Sequence, residues 1–293
     1  MHVPLSPYLL LVLTTLFWSG NFVLGRAVHF DIPPISLVFW RWTGALLILL
    51  PFSWRHLKDQ WPLLLTNWKY LFIFGFLGVT CFNTFIYIAL QSTTATNAVL
   101  INSIIPVLIV VLSWAFGGIR ITRRQALGMA VSFAGVINIV CRADIGQLLA
   151  LQLNRGDIWV LLAVVSWAVY TFLLRKRPAG LHPLSFLTSL IMIGLIVLAP
   201  LYGWELSQGY RIVATSSAFF SLCYVALFPS VLAFIFWNQA VGQVGSNKAG
   251  LFLHLMPVFG TILSIILLGE VFHLYQLAGI VLIFTGIYLT TAR

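Results

Sequence analysis

Residues 16–26 read LFWSGNFVLGR and residues 165–175 read VSWAVYTFLLR. At an offset of 149, tryptophan meets tryptophan and arginine meets arginine: Trp18 pairs with Trp167 and Arg26 with Arg175. Both segments lie in long apolar surroundings, yet both carry polar groups. Hydrocarbon offers no hydrogen bonds, so an amide such as Asn21 at that depth has to face protein or a water-filled cavity. Two such segments half a chain apart suggest a fold built twice around a polar interior.

The composition agrees with a lipid environment. Hydrophobic residues make up 61% of the 293 and charged residues 8%, and mean hydropathy is +1.03. A soluble domain carries about 25% charged residues, so this chain is read as an all-α integral membrane protein. The net charge of +10 does not signal nucleic-acid binding, because the basic residues fall in small clusters between apolar runs, as membrane orientation requires. Of the three cysteines, Cys81 and Cys223 sit inside apolar runs, which argues against a disulfide framework. No basic region precedes the first apolar run and no small-residue cleavage site follows it, so that run is expected to remain as a helix.

Ten transmembrane helices are expected, near 8–28, 34–54, 69–91, 94–116, 124–141, 157–174, 184–201, 217–241, 247–268 and 274–292. Eleven basic residues then fall on one side: Arg55, Lys58, Lys69, Arg120, Arg123, Arg124, Arg175, Lys176, Arg177, Lys248 and Arg293. Four fall on the other, Arg26, Arg142, Arg155 and Arg211, with Arg41 left inside the second helix. The positive-inside rule puts both termini in the cytoplasm, in a multi-pass protein of the cell inner membrane.

A second offset, 151, pairs residues 85–135 with 236–286, and thirteen of the 51 positions are identical. The matches include Ala89/Ala240, Pro106/Pro257, Leu112/Leu263, Ser113/Ser264, Gly118/Gly269, Gln125/Gln276, Gly128/Gly279 and Gly135/Gly286. Chance matching at this composition gives roughly five, so the chain reads as an internal repeat: 1–148 and 149–293, five helices each. An odd number of helices per repeat inverts the second against the first, the design of secondary transporters with a midplane site.

The tryptophan in the first helix of each half, the proline in each fourth helix, and Gly269–Glu270 followed by Gln276, Gly279 and Gly286 resemble the EamA-type branch of the drug/metabolite transporter superfamily. The resemblance spans essentially the whole chain. It implies a ten-helix transporter similar to amino-acid and metabolite exporters, the aromatic amino acid exporters among them. Ile119 stands where the second half has Glu270, so that acid has no counterpart.

Polar residues at membrane depth mark the expected substrate site. Trp18 and Asn21 share a face of helix 1, and Trp167 and Tyr170 are their counterparts in helix 6. Helix 3 carries Thr80, Asn83, Thr84 and Tyr87 at helical spacing. Asn102 and Ser103 precede Pro106 by a turn, and His254 precedes Pro257. Each proline frees a carbonyl on the preceding turn, so Pro106 and Pro257 are expected to act as hinges. The substrate-binding residues are thus Trp18, Asn21, Asn83, Tyr87, Asn102, Trp167, Tyr170 and His254, with interhelical hydrogen bonding as the plainer alternative. Arg41 either attracts a substrate carboxylate or pairs with Asp31. Trp237 and Asn238 read equally as an interfacial anchor or a pore lining. The six acids, Asp31, Asp59, Asp144, Asp157, Glu205 and Glu270, all fall in or beside loops, leaving His254 as the titratable group at depth. No metal, acid–base or phosphate-loop pattern appears, so no cofactor and no enzyme activity are expected. A passive channel lacks a visible ring of charge or carbonyl filter. The expected activity is export of small metabolites, foremost neutral or aromatic amino acids, by alternating access across the lipid bilayer.

Overall fold

The computed structural model describes residues 4–27, 31–144, 146–147, 154–268 and 271–292. Gly269, Glu270, Arg293 and the side chain of Arg26 lie outside the described residues. Among the described residues every regular element is helical. In chain order these are α1 (Pro7–Ala27), α2 (Pro34–Asp59), α3 (Trp61–Thr66), α4 (Trp68–Ala89), α5 (Ala95–Asn102), α6 (Ile105–Gly117), α7 (Arg123–Val140), α8 (Arg155–Lys176), α9 (Pro183–Ser207), α10 (Ser216–Val244), α11 (Ser246–Leu251), α12 (Leu255–Leu268) and α13 (Leu274–Thr291).

Among the described residues, seven segments are long and apolar enough to cross a bilayer: α2, α4, Asn97–Gly117, α8, α9, α10 and α13. The chain is a multi-pass membrane protein. The other expected windows, 8–28, 124–141 and 247–268, coincide with α1, α7 and the α11–α12 segment. Large apolar side chains such as Leu47, Phe52, Phe116, Ile196, Phe220 and Ile266 are exposed on the outside of the bundle, as a lipid-facing surface requires.

The connecting segments gather at two ends. At one, Gln60 donates to the Gly180 carbonyl (2.8 Å) and accepts from the His182 amide (2.9 Å), while Arg175 donates to the Phe116 carbonyl (3.1 Å). This end carries the clusters Arg55–Lys58 and Arg175–Arg177. At the opposite end buried acids tie helices together. The Glu205 carboxylate accepts from the Ile35 and Ser36 amides at 3.0 and 2.7 Å, capping the N-terminus of α2. Such a cap satisfies amides left without intrahelical partners. Asp157 holds the Thr93 hydroxyl and the Asn154 amide, and the Thr215 hydroxyl donates to Asp31.

Local irregularities recur at the offsets read from the sequence. A π-helical stretch interrupts α4 at Gly75–Cys81 and α10 at Ala226–Leu232, each bound shifted by 151. The bounds of α7 and α13 differ by the same 151, and both begin with a capping box, Thr122 with Gln125 and His273 with Gln276. Helices α2 and α9 begin at Pro34 and Pro183 and contain Pro51 and Pro200, both pairs 149 apart. Where α5 gives way to α6, two non-helical residues stand before Pro106, and a 3-10 turn at Phe252–His254 stands before Pro257.

Helices α7 and α13 cross antiparallel in close contact. A Cβ on Gly128 would come within 2.6 Å of the Gly286 carbonyl oxygen, and one on Gly135 within 2.7 Å of that of Gly279. Only glycine permits that approach. Replacing Gly135 or Gly279 with leucine is therefore expected to lower the thermal midpoint of the detergent-solubilised protein sharply. Gly242→Ala, at a position with open space around it, is expected to leave it unchanged. Size-exclusion profiles after graded heating make the comparison.

Candidate functional site

The centre of the bundle is an aromatic cluster. The Trp18 and Trp167 rings meet edge to face at 5.0 Å, Trp237 lies 5.3 Å from Trp18, and Phe82 lies 4.8 Å from Trp167. The Trp18 indole N–H donates to the Pro229 carbonyl at 3.0 Å. That carbonyl belongs to the π-helical stretch of α10, where altered hydrogen bonding leaves backbone oxygens available to side chains. Beside the cluster is a cavity of about 20 Å³ lined by Trp18, Asn21, Arg41, Phe82, Asn83, Asn102, Ile105, Trp167, Phe234, Leu253 and Met256. Five of the eight expected binding residues line it. A space of that size holds about one water molecule, so the protein here is closed around its centre.

Tyr87 and Tyr170 stand on opposite sides of the tryptophan pair. The Tyr87 hydroxyl donates to Asn21 Oδ1 at 2.6 Å, and the Tyr170 hydroxyl donates to Asn238 Oδ1 at 2.7 Å. Tyr170 lies 149 after Asn21 and Asn238 lies 151 after Tyr87, so equivalent positions make both bonds with the residue types exchanged. The Tyr170–Asn238 bond faces the basic end, where a second cavity of about 250 Å³ is lined by Asn238, Arg177, Pro183 and Gln243 among others. The Tyr87–Asn21 bond faces the end held by Asp157 and Glu205.

Arg41 is fully buried, 1% exposed. Its Nε donates to Ser230 Oγ at 2.7 Å, and its Nη1 donates to the Tyr87 hydroxyl at 2.9 Å and Asn21 Oδ1 at 3.3 Å. Its guanidinium carbon lies 5.1 Å from the Trp42 ring centroid. Asp31 is not its partner: that carboxylate accepts from Thr215 instead. Among the described residues no acid pairs with Arg41, although placing an arginine at bilayer depth costs about 2.5–3.5 kcal/mol even on insertion scales.

Two stretches of the chain, 5–141 and 154–292, each match the model of the EamA-like transporter family. The chain belongs to that family. The transporter is 28% identical to an uncharacterized transporter of Bacillus subtilis (strain 168), YyaM, over 97% of this chain and 92% of the relative. It is 28% identical to an uncharacterized transporter of Archaeoglobus fulgidus, covering 98% and 97%. A Salmonella typhimurium (strain LT2) protein named probable amino-acid metabolite efflux pump is 27% identical over 96% of this chain and 93% of the relative. One solved crystal structure shares the fold with a TM-score of 0.78 at 18% identity, covering 97% of this chain and 96% of that one.

Several residues of the transporter sit differently from expectation. His254 is fully buried but does not line the central cavity. Its Nε2 lies 3.0 Å from the Ser103 carbonyl and its Nδ1 lies 2.8 Å from Ser132 Oγ. A carbonyl only accepts, so Nε2 carries the proton and Nδ1 accepts from the serine hydroxyl. His254 thus joins the interruptions before Pro106 and Pro257 to each other. Thr80, expected on the polar stripe of α4, donates to the Gly194 carbonyl (3.3 Å) on α9 from within the π-helical stretch Gly75–Cys81. Asn83 donates to the Gly78 and Val79 carbonyls at 2.9 and 3.1 Å. Trp237 is no interfacial anchor, being fully buried in the aromatic cluster. Phe82, Phe234 and Met256 line the cavity with no signal in the sequence that distinguishes them from other apolar residues.

His254→Ala in the transporter is expected to reduce stability by about 1–3 kcal/mol, the cost of leaving buried polar groups unpaired. His254→Gln recovers part of it. Thermal unfolding of the purified protein gives both, and unchanged half-saturation for solute in the folded fraction separates this role from solute contact.

Proposed function

We propose that the transporter exports small metabolites, foremost amino acids with neutral, apolar or aromatic side chains, by alternating access. In this reading ten helices cross the cell inner membrane as two inverted five-helix repeats, 1–148 and 149–293, with both termini cytoplasmic. The observation that carries it is the exchanged pair of tyrosine–asparagine bonds, Tyr87–Asn21 and Tyr170–Asn238, on either side of the aromatic cavity. Under a two-fold axis in the membrane plane, a closure on one side becomes a closure on the other, as alternating access requires. Two further features support the axis. Trp18 and Trp167, at equivalent positions, touch each other. The glycine contacts between α7 and α13 are reciprocal, Gly128 with Gly286 and Gly135 with Gly279.

The substrate class rests on the lining. Aromatic faces and amides suit a solute with an apolar body and a polar end. The Salmonella relative's name, probable amino-acid metabolite efflux pump, supports the same class. Breaking one latch at a time opens the cavity to one side, and the 250 Å³ space beside Asn238 is the cytoplasmic approach. Among the described residues no carboxylate lines the cavity, so solute is expected to follow its own gradient.

The test is uptake and counterflow of radiolabelled amino acids in proteoliposomes. Saturable flux with counterflow supports alternating access, and linear flux without counterflow means a channel. Trp18→Ala and Trp167→Ala are each expected to cut flux at least about tenfold at wild-type expression, through loss of ring contact with the solute. Normal flux in both makes the pair packing residues only.

A further inference from the structure

Among the described residues, the central cavity borders one buried cation, Arg41, and no anion. Arg41 makes all its polar contacts with neutral groups, Ser230, Tyr87 and Asn21. Two of these contacts go to the latch that closes one side. A guanidinium presents five N–H donors in a planar fork that matches a carboxylate in two-point fashion. A hydroxyl and an amide oxygen at 2.9 and 3.3 Å occupy Nη1 more weakly than a charged acceptor does. Independently, two lining residues hold buried polar atoms without a partner: the Trp167 indole N–H and Asn102 Oδ1. One is a donor and one an acceptor, on residues 1% and 6% exposed. Unpaired groups of this kind are costly inside a protein.

We propose that Arg41 is the anchoring site for a carboxylate, so that the solutes carried are those bearing a single carboxylate on an apolar or aromatic body. This deepens the transport reading and rests on it. The carboxylate takes the Nη1 donor from Tyr87 and Asn21. Those two then keep only their bond to each other, and the closure on that side loses its tie to α2. Solute binding thereby loosens the latch facing away from the basic end. A carboxylate-free amine gains nothing from Arg41 and meets an uncompensated positive charge, so organic cations are excluded.

The experiment uses full-length protein in proteoliposomes. The panel is the twenty amino acids, phenylpyruvate and benzoate, set beside phenethylamine, isoamylamine and phenylalaninamide. Every solute that the wild type carries is expected to hold a carboxylate, and phenylalaninamide is expected to compete at least about 30-fold more weakly than phenylalanine, the scale of losing one partner of a buried charge pair. Arg41→Gln is expected to lose flux by a similar factor, with Arg41→Lys intermediate. Transport of any of the three carboxylate-free solutes, or Arg41→Gln flux at the wild-type level, overturns the assignment while leaving the transport reading standing. Absence of flux for the whole panel overturns the transport reading and this assignment with it. The wild-type comparison needs no variant, so the assignment stays testable if Arg41→Gln does not fold.

Discussion

A polar group at bilayer depth has to find its partner inside the protein, and the organisation of this transporter follows from that constraint. Arg41, Asn21, Tyr87 and Ser230 form one connected network drawn from α1, α2, α4 and α10. Each makes a hydrogen bond to a side chain on another helix, and Ser230 also donates to the Val225 carbonyl of its own helix. Each therefore fixes the helices it joins, and fixes them at the depth where the cavity lies. Helix α1 is tied in the same way along its length, through Trp18 to Pro229 and through Ser19 to the Met256 carbonyl at 3.1 Å. Lipid supplies no force pressing helices together, so such bonds and close backbone contact take the place of hydrophobic burial.

The interior divides into tight and yielding parts. The α7–α13 crossing brings backbones together at Gly128, Gly135, Gly279 and Gly286, leaving no room for relative sliding. His254 ties together the interruptions that precede Pro106 and Pro257. The Tyr170–Asn238 bond, by contrast, is a hydrogen bond between neutral side chains, worth about 1 kcal/mol net, and the Tyr87–Asn21 bond is reinforced only through Arg41. The π-helical stretches in α4 and α10 lie next to the cavity and carry non-standard backbone bonding. Such segments change their pattern at lower cost than a regular helix and recur at functional sites. Motion thus has a place to occur, beside the cavity, with a rigid frame behind it.

The sequence by itself determined the membrane class, the repeat offsets and the broken helices. Each of these is written in local chemistry: apolar runs of spanning length, identities at fixed spacing, and prolines that remove a backbone donor. It also pointed Trp18, Asn21, Asn83, Asn102 and Trp167 toward the interior, because polar residues in an apolar helix face inward. Tertiary structure alone decided which inward-facing groups meet. Arg41 and Asp31 are close in the chain, yet Asp31 turns to Thr215 and Arg41 to Ser230, 189 residues away. His254 and Asn102 read alike as polar spots beside a proline, but one bonds to Ser103 and Ser132 while the other borders the cavity. Thr80 lies inside the π-helical stretch Gly75–Cys81, where the number of residues per turn differs from the ordinary helical spacing that predicts the stripe. These outcomes depend on the angle and depth at which helices from distant parts of the chain cross, and no local spacing encodes that.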